Sequence, residues 1–486
     1  MSYNHGVYNR EIGTSLTVPI RGTAGLQVIF GTAPIHLADD PEKAANTPKL
    51  CYSFEEAAKA VGYSDDFKNF TLCQSIDACF RVFNVAPIVL VNVLDPKKAA
   101  HTTKNEAATY PVNDGLVIYD KAMVLLASLD IMAGETKLEA GTDYAAEHDE
   151  TGAVVISMLS ATAKGAAEVS VASTSLNPAG VTREDVVGGL NAATGEETGL
   201  ELVRQIYPKL GVVPGILLAP GWSQEPVVAA ALQAKTEAIN GCFECVTYLD
   251  IAADDTGAVV YTEVPEAKTK LGASSTHAAV FWPMGAVGDK IYFMSALAGA
   301  LTAYNDASNG DVPYDSPSNH PLRITGTVLA DGTEVVLDRQ QANDALNANG
   351  VITAINEGGF NLWGNSTAAY PGTSDPKDRW LAVRRFFNWD GNNFILTYRQ
   401  KVDRPGNTRL IQSIVDSQNI IGNGYVARDY CAGYKTEFLT ADNPTTELLN
   451  GHLTVRTKLA PYIPTEFIEN IREYDVDALE AAMGGV

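Results

Sequence analysis

The sequence contains few cysteines, and their arrangement fits neither a disulfide scaffold nor a metal site. Six cysteines in 486 residues are too few for the disulfide framework of a small secreted protein. The single Cys-x-x-Cys pair, Cys242–Cys245, has no second pair or histidine pair nearby, whereas a structural zinc ion needs four ligands. We therefore predict no metal site and expect both cysteines to pack in a core as small apolar side chains.

Nucleotide-binding motifs are missing as well. No phosphate-binding G-x-x-x-x-G-K-[S/T] segment occurs in the chain. The letters GNGYVA at 422–427 match the dinucleotide pattern G-x-G-x-x-A, but they follow a helical pattern, whereas a dinucleotide loop follows a strand and opens a helix. We predict a loop at 422–427 and no cofactor.

Long apolar runs are absent from the sequence. The longest run, at 85–94, has about half the length that a membrane-spanning helix needs. The first residues, MSYNHGVYNREIG, contain no apolar stretch typical of a secretory signal. We therefore expect the chain to fold in a cytoplasm and to make no membrane contact.

Basic residues are scarce, with 35 Lys and Arg against 58 Asp and Glu and a net charge of −23. A chain this acidic does not bind nucleic acid by neutralising phosphates. Residues 376–428 are the exception, because nine Lys and Arg against four Asp give them +5 and leave −28 for the remainder. An acidic body with a basic segment can pair with copies of itself or with an acidic partner. A merely solvated basic hairpin is the alternative.

Apolar runs that alternate with helical patterns indicate an α/β core. Residues 26–34 and 87–95 are apolar strands, and between them Ser53 stands three residues before Glu56, which predicts a capped helix. The alternation resumes after residue 198. Because strands that are apolar throughout are typical of a sheet covered on both faces, we predict a mixed sheet flanked by helices.

Other segments interrupt or extend this core. Residues 96–198 contain short strand patterns between Gly, Thr, Asp and Glu turns, which predicts a β-rich inserted domain. Residues 1–20 and 453–475 are extended patterns with little to bury, and prolines in the second suit an edge strand. Neither terminus can satisfy its own backbone groups within a compact domain, so we predict extended N- and C-terminal arms.

The last third of the chain contains turn and helix signals. Asp331-Gly332 lies between two β-like runs, which predicts a hairpin. Asp390-Gly391 lies in the middle of residues 380–402 and predicts a second hairpin there. Residues 408–421 repeat apolar side chains at helical spacing, which predicts a helix.

An α/β hydrolase with a β insertion is the alternative function that the residues leave open. Catalytic groups of such a core lie in loops after the strands, where Ser223 and Asp250 are the main candidates. Ser223 lies in GWSQE rather than in a G-x-S-x-G elbow, and His277 precedes its strand, at the wrong end for a partner. Asp254, Asp255 and Asp289 are further candidates. We predict no catalytic residue among them.

Several segments in a fixed order carry the strongest family signal. GVYNREI and VIFGTAP are followed by AVFWPM, SALAGALTAYND and VPYDSPSN. LWGNSTA, VRRFF, RPGNTRLIQSIVDSQN and DNPTTELLNGHLTVRTKLAPYIPTEFI complete the series. Together these segments, spread over about 300 residues, resemble the tail sheath proteins of contractile bacteriophages and related particles such as R-type bacteriocins. The segment 96–198 matches least.

The resemblance implies a structural subunit that is not an enzyme and whose core is of the subtilisin-like type. Such subunits form a helical array or stacked rings around a tail tube, linked by strand-exchanging arms, and contract from a metastable extended state. Residues 310–323, rich in Asp, Ser and Pro, then form a rigid connector. The implied partners are other copies of the chain, the tail tube protein, and baseplate and tail terminator proteins. Assembly is expected in the bacterial host cytoplasm, as part of a virion tail or a released particle.

The resemblance also suggests boundaries and contact residues. The predicted segments are an N-terminal arm (1–22), a first core part (23–95), the inserted domain (96–198), a second core part (199–365), a C-terminal α+β region (366–452) and a C-terminal strand or arm (453–486). The predicted contacts to the tube or to neighbouring subunits are Arg384, Arg385, Arg399, Lys401, Arg404 and Arg409. For any one of them, a solvated position or an ion pair within the subunit is the alternative.

Overall fold

A mixed eight-stranded sheet forms the centre of the chain; the structure, a computed structural model, describes residues 20–21, 23–149 and 152–484. Six neighbouring strands run parallel, and an antiparallel strand lies at each edge. In spatial order the strands are Phe360–Trp363, Val351–Asn356, Ala278–Phe281, Val246–Asp250, Ile216–Leu218, Gln27–Gly31, Ile88–Asn92 and Lys49–Cys51. The α/β fold class with a mixed sheet is confirmed.

Helices pack against this sheet and bury its strands. Residues 28–30, 88–91 and 216–218 are fully buried, which explains why these strands are apolar throughout. Ser53 caps the first long helix as predicted, because its hydroxyl accepts a hydrogen bond from the N–H of Glu56 (3.2 Å). The helices of the core are Phe54–Val61, Leu72–Asp77, Val203–Leu210, Pro226–Ala234, Val264–Leu271 and Met294–Ser308.

The helix Met294–Ser308, here called the central helix, buries twelve of its fifteen residues in the core. Asp250 binds its first turn, because the N–H of Ser295 donates to the Asp250 carboxylate (2.8 Å). A carboxylate at this position complements the partial positive charge of a helix N-terminus. The central helix is therefore joined to the middle of the sheet by a buried polar contact.

The connector 310–323 follows the central helix and holds several distant segments together. Asp311 accepts hydrogen bonds from the N–H groups of Thr23 (2.6 Å) and Ala24 (2.7 Å), where the described core begins. The N–H of Leu322 donates to Phe360 of the edge strand (2.9 Å). These contacts support the prediction of a rigid connector.

Residues 102–176 form two further sheets with a separate hydrophobic cluster, in which Tyr119, Ile131, Ile156 and Val171 are buried. One sheet contains Thr102–Pro111, Glu168–Leu176, Asp130–Ala133 and Thr136–Lys137. The other contains Tyr144–His148, Val154–Met158 and Leu116–Tyr119. The boundaries 96 and 198 of the inserted domain stay a prediction.

Two long helices and a hairpin make up the C-terminal region. We call Leu381–Tyr398 the arginine helix and Thr408–Ala427 the glycine helix. In the C-terminal hairpin, the inner strand Cys431–Glu437 pairs antiparallel with the outer strand Arg456–Pro461. A short helix, Thr445–Leu449, lies between the two strands.

The hairpin predicted over 380–402 is wrong, because Leu381–Tyr398 is helical. Asp390-Gly391 is a strong turn signal, and a glycine in a helix interior costs about 1 kcal/mol relative to alanine. Tertiary contacts outweigh that cost: Asn388 donates to the C=O of Cys245 (3.1 Å), and Asn392 bonds both backbone groups of Glu244 (2.7 and 3.0 Å). Hydrophobic periodicity does not register such polar anchors.

The predicted loop at 422–427 is also wrong, because these residues complete the glycine helix. The helix predicted over 408–421 is confirmed. Of the hairpin predicted at Asp331-Gly332 the turn is present, with a hydrogen bond from the N–H of Gly332 to Leu329 (3.0 Å), but an isolated bridge between Val328 and Glu334 takes the place of a second strand.

The predicted arms are described only in part. Residues 1–19 and 22 lie outside the described residues, and Ile20–Arg21 pair in parallel with Val85–Ala86. Within the predicted arm 453–475, the outer strand pairs with the chain's own inner strand, which corrects the expectation that this backbone has no partner in its own subunit. Residues 462–475 have no regular structure, and Val476–Met483 form a helix.

Candidate interaction surfaces

Two of the predicted contact residues are buried in ion pairs within the subunit. Arg385 pairs with Asp306 near the end of the central helix, and both side chains are almost inaccessible. Arg384 pairs with Asp378, and it too is buried. These arginines bind the arginine helix to its surroundings, so the alternative considered for them, an ion pair within the subunit, is the one found in this conformation.

The other four predicted contact residues lie at the surface around the junction of the two long helices. Arg399 donates to the hydroxyl of Tyr207 (2.5 Å). Lys401, Arg404 and Arg409 have no carboxylate within ion-pair distance among the residues that the structure describes. Their charges are therefore available to a partner outside the subunit.

An apolar groove of 960 Å³ lies beside these cations. The long helices contribute Phe394, Tyr398, Leu410 and Ile414 to its wall, and Val455, just before the outer strand, lines the opposite side. Lys401 and Arg404 line the same groove. Asp390 and Asp403 line it as well, so the groove presents apolar surface with charged groups of both signs.

A buried polar network fixes the C-terminal hairpin to both long helices. The hydroxyl of Tyr434 donates to the Asp390 carboxylate (3.0 Å), and Gln418 Nε2 lies 2.5 Å from the same hydroxyl. Burial raises the pKa of Asp390 to about 6, although the Tyr434 hydrogen bond opposes the rise. The network and the surrounding aromatic rings set the position of the inner strand.

Gly422→Ala is expected to lower the free energy of unfolding by about 1–3 kcal/mol through overpacking. A Cβ atom at Gly422 would overlap the ring of Tyr434. Gly424→Ala in the same helix is the control, because no atom lies within 4 Å of its added Cβ. The control is expected to gain up to about 1 kcal/mol from helix propensity. Urea unfolding measures both, and equal effects would contradict the packing argument.

The segment after the outer strand exposes many large apolar side chains. Phe467, Ile468 and Ile471 are 78%, 86% and 84% exposed, and Tyr474 and Met483 are also exposed. Glu466 anchors the start of this stretch, because it pairs with Arg379 (3.3 Å) and accepts a hydrogen bond from Asn365 (3.2 Å). A run of exposed apolar residues of this kind marks an interaction site.

The residues of the hydrolase alternative lie together but inside the core. The hydroxyl of Ser223 donates to Asp250 (3.1 Å), and Ser295 donates to the same carboxylate (2.5 Å). Burial raises the pKa of Asp250 to about 6, against the hydrogen bonds from both serines. Ser223 has an accessibility of 0%, so a substrate has no path to its hydroxyl in this conformation.

The remaining catalytic candidates are spread out. His277 directly precedes the strand Ala278–Phe281 and lies 3.2 Å from Glu237, far along the sheet from the Ser223 hydroxyl. Asp254 accepts hydrogen bonds from Thr256 in a turn (2.9 and 2.5 Å), as ordinary turn chemistry predicts. Asp255 and Asp289 are exposed.

The cysteines do not form a site. Cys245 is buried as expected, but Cys242 is exposed, so only one of the pair packs in the core. No cluster of His, Cys, Asp and Glu suited to a metal ion occurs within 20–21, 23–149 and 152–484. Over the same ranges, no helix combines the length and the apolar character needed to cross a bilayer.

The sequence indicated the basic segment but neither the groove nor the buried ion pairs of Arg384 and Arg385. The signal for the groove was the spacing of Phe394, Tyr398 and Leu410 on either side of the link between the two long helices. This spacing indicates a shared apolar surface only if the segment is assigned as two helices. The mistaken hairpin at Asp390-Gly391 concealed that pattern.

Comparisons with known proteins find relatives that are named as phage tail sheath proteins. No protein-family model matches the chain. The tail sheath protein of Burkholderia phage BcepMu is 28% identical over 499 residues, which cover 100% of this chain and 99% of that protein. A chain in the baseplate of the anti-feeding prophage is 14% identical with a TM-score of 0.59 over 98% of this chain and 100% of that one. A chain in the contracted sheath complex of an extracellular contractile injection system, PVC, is 15% identical with a TM-score of 0.57, covering 98% and 99%.

The two kinds of match carry different information. At 14% and 15% identity the structural likeness concerns the fold. The sequence relative matched over its full length is named a tail sheath protein. The resemblance to contractile tail sheath proteins that the ordered motifs indicated is confirmed.

Proposed function

We propose that the chain, a homologue of phage tail sheath proteins over its full length, is the subunit that polymerises around a tail tube and contracts to drive the tube forward. The homology supports a structural protein of a contractile tail. The observation that carries the finer proposal is the exposed apolar segment 462–484 beside a hairpin with an open edge. The exposed segment needs a surface that covers it, and the open edge of the hairpin can bind an added strand.

The exposed segment gains free energy when a second subunit covers it. Burial of one large aliphatic or aromatic side chain is worth about 1.5–3 kcal/mol. Phe467, Ile468 and Ile471 are mostly exposed in the single subunit, so this gain is still available for assembly. A partner that covers all three would also offset the entropy of ordering the segment.

Strand addition supplies the second contribution. An arm that forms about six hydrogen bonds at about 1 kcal/mol each gains roughly 6 kcal/mol before ordering costs. Main-chain bonds of this kind need no shaped pocket, so they persist while the domains between them change orientation. Two arms on each subunit would add effective concentration to both contacts.

Charge supports the same assembly. The segment 376–428 carries +5 and the rest of the chain −28, so a neighbour presents a surface of opposite sign. Lys401, Arg404 and Arg409, with free charges, and Arg399 beside them are the proposed contacts to the tube or to neighbouring sheath subunits. Arg384 and Arg385 would contribute only after their internal ion pairs open.

Contraction is proposed to release free energy stored in a metastable extended array. Subunits would rotate outward while their arms stay linked, burying new contacts, and no nucleotide would be consumed. Tail tube, baseplate and tail terminator proteins are the proposed partners, and the host cytoplasm is the proposed place of assembly. The segment boundaries at 22, 95, 198, 365 and 452 remain part of this proposal.

Electron microscopy of the purified chain, beside a variant that lacks residues 1–20, tests the proposal. Hollow tubes or stacked rings are expected from the full chain and dispersed particles from the variant, because the variant has lost one of two arms. Compact dispersed particles from both, over a range of protein and salt concentrations, would count against assembly by arms. Ser223→Ala is expected to change neither result.

A further inference from the structure

One asparagine of the glycine helix pairs with the inner strand as a backbone would. Asn419 Nδ2 donates to the C=O of Thr436 (2.8 Å), and its Oδ1 accepts the N–H of the same residue (2.8 Å). Thr436 stands opposite Thr457 of the outer strand. Because both backbone groups of Thr436 bind Asn419, Thr436 occupies a position at which N–H and C=O point away from the partner strand. The amide fills a place that a further strand would need.

The outer strand has no such cover. Apart from the pairing within the hairpin, no hydrogen bond from any described residue reaches a backbone group of Arg456–Pro461. By the alternation of antiparallel pairs, Thr457 and Leu459 direct their N–H and C=O outward. Thr457 also lines the apolar groove. At Thr436 the inner edge is therefore closed by an amide, whereas the outer edge beside the groove has no such hydrogen bond among the described residues.

We infer that Asn419 is a specificity-determining residue for assembly, which closes the inner edge so that an arm of a second copy adds only beside the outer strand. The inference rests on the proposed function, since it names the edge at which the proposed strand exchange occurs. A hairpin open at both edges would bind an arm at either edge. A regular array repeats the same contact in every subunit, so it needs a single binding edge. An amide side chain closes an edge without placing a charge next to the buried Tyr434 network.

Packing along the glycine helix keeps the amide in place. Gln418, directly before Asn419, contacts the Tyr434 hydroxyl, and Gly422, one turn later, lies against the Tyr434 ring. These contacts fix the rotation of the helix, so the Asn419 side chain is directed at the strand without further ordering cost. Asn423, one turn after Asn419, is exposed and serves as a matched position on the same helix.

Hydrogen exchange of the full chain, dispersed and assembled, tests the inference. In the wild type, amides of 456–461 are expected to slow on assembly, whereas those of 431–437 keep their rates. In dispersed Asn419→Ala, the amide of Thr436 is expected to exchange about fivefold faster because it has lost its acceptor. In assembled Asn419→Ala, segment 431–437 is expected to gain protection, and irregular aggregates are expected to replace regular tubes. Asn423→Ala is expected to match the wild type.

The outcomes separate the inference from the proposed function. Protection of 431–437 in the assembled wild type, or an Asn419→Ala chain that assembles like Asn423→Ala, would overturn the role of Asn419 and leave strand exchange standing. If the wild type gains protection in neither segment, or does not assemble, the proposed use of the hairpin itself fails. Asn419→Asp keeps the acceptor and loses the donor, so a result between the wild type and Asn419→Ala is expected.

Discussion

Arg385→Ala is expected to lower the free energy of unfolding by about 3–5 kcal/mol, because it leaves the Asp306 carboxylate buried without its counter-charge. Arg385 and Asp306 form a bidentate pair in which both partners are almost fully buried. The pair joins the arginine helix to the central helix, so the C-terminal region is expected to lose its attachment first. Urea unfolding followed by tryptophan fluorescence measures the change.

Arg404→Ala is the matched control for that prediction. Arg404 belongs to the same basic segment, but it is exposed and has no carboxylate partner among the described residues. Its removal is expected to change the unfolding free energy by less than about 0.5 kcal/mol. The double variant Arg385→Met with Asp306→Leu should recover most of the loss, since apolar replacement of a buried pair is often neutral. Equal losses for Arg385→Ala and Arg404→Ala would refute the buried-pair argument.

Ending the chain after Pro461 is expected to abolish assembly and leave the folded subunit almost unchanged. The removed residues include Phe467, Ile468 and Ile471, which bury little surface in the subunit. The pair of Glu466 with Arg379 is partly exposed and is worth at most about 1 kcal/mol, so the melting temperature should fall by less than about 3 °C. Sedimentation and electron microscopy measure assembly, and differential scanning calorimetry measures folding.

A side-chain variant refines this experiment. Ile468→Ser with Ile471→Ser is expected to remove at least about 3 kcal/mol of burial between subunits, which raises the concentration needed for assembly by about 100-fold or more. Leu449→Ser is the control, since Leu449 is 81% exposed on the helix Thr445–Leu449, outside the segment. If the truncated chain assembles at the concentration of the full chain, the C-terminal segment is not an arm.

The central sheet could be predicted because its residues carry the information locally. The strand Ile88–Asn92 is buried on both faces and apolar over its first four residues, and Ser53 marks the start of the helix Phe54–Val61 with its cap. The ordered motifs added the family. These signals need no knowledge of distant contacts.

The C-terminal region could not be read in this way, because its structure depends on contacts between distant segments. Asn388 and Asn392 bind the arginine helix to backbone groups of Cys245 and Glu244, about 150 residues earlier. No pattern within residues 380–402 predicts those partners. Gly422 is a helix breaker by propensity but a packing requirement against Tyr434. Arg385 is buried because it pairs with Asp306, 79 residues earlier in the chain. The local excess of basic residues does not reveal that partner and therefore predicted a surface position.

The first residues of the described core and the arginine helix both contact one short stretch, and this has a mechanical consequence. Asp311 holds the backbone of Thr23 and Ala24 at the root of the N-terminal segment, and Asp306 holds the arginine helix that carries the C-terminal hairpin. Tension entering at one terminus and leaving at the other would be transmitted through residues 306–311. The sheets of 102–176 have a hydrophobic cluster of their own and take no part in these contacts of residues 306–311. That part of the chain can change in shape or size without altering how the subunit bears force.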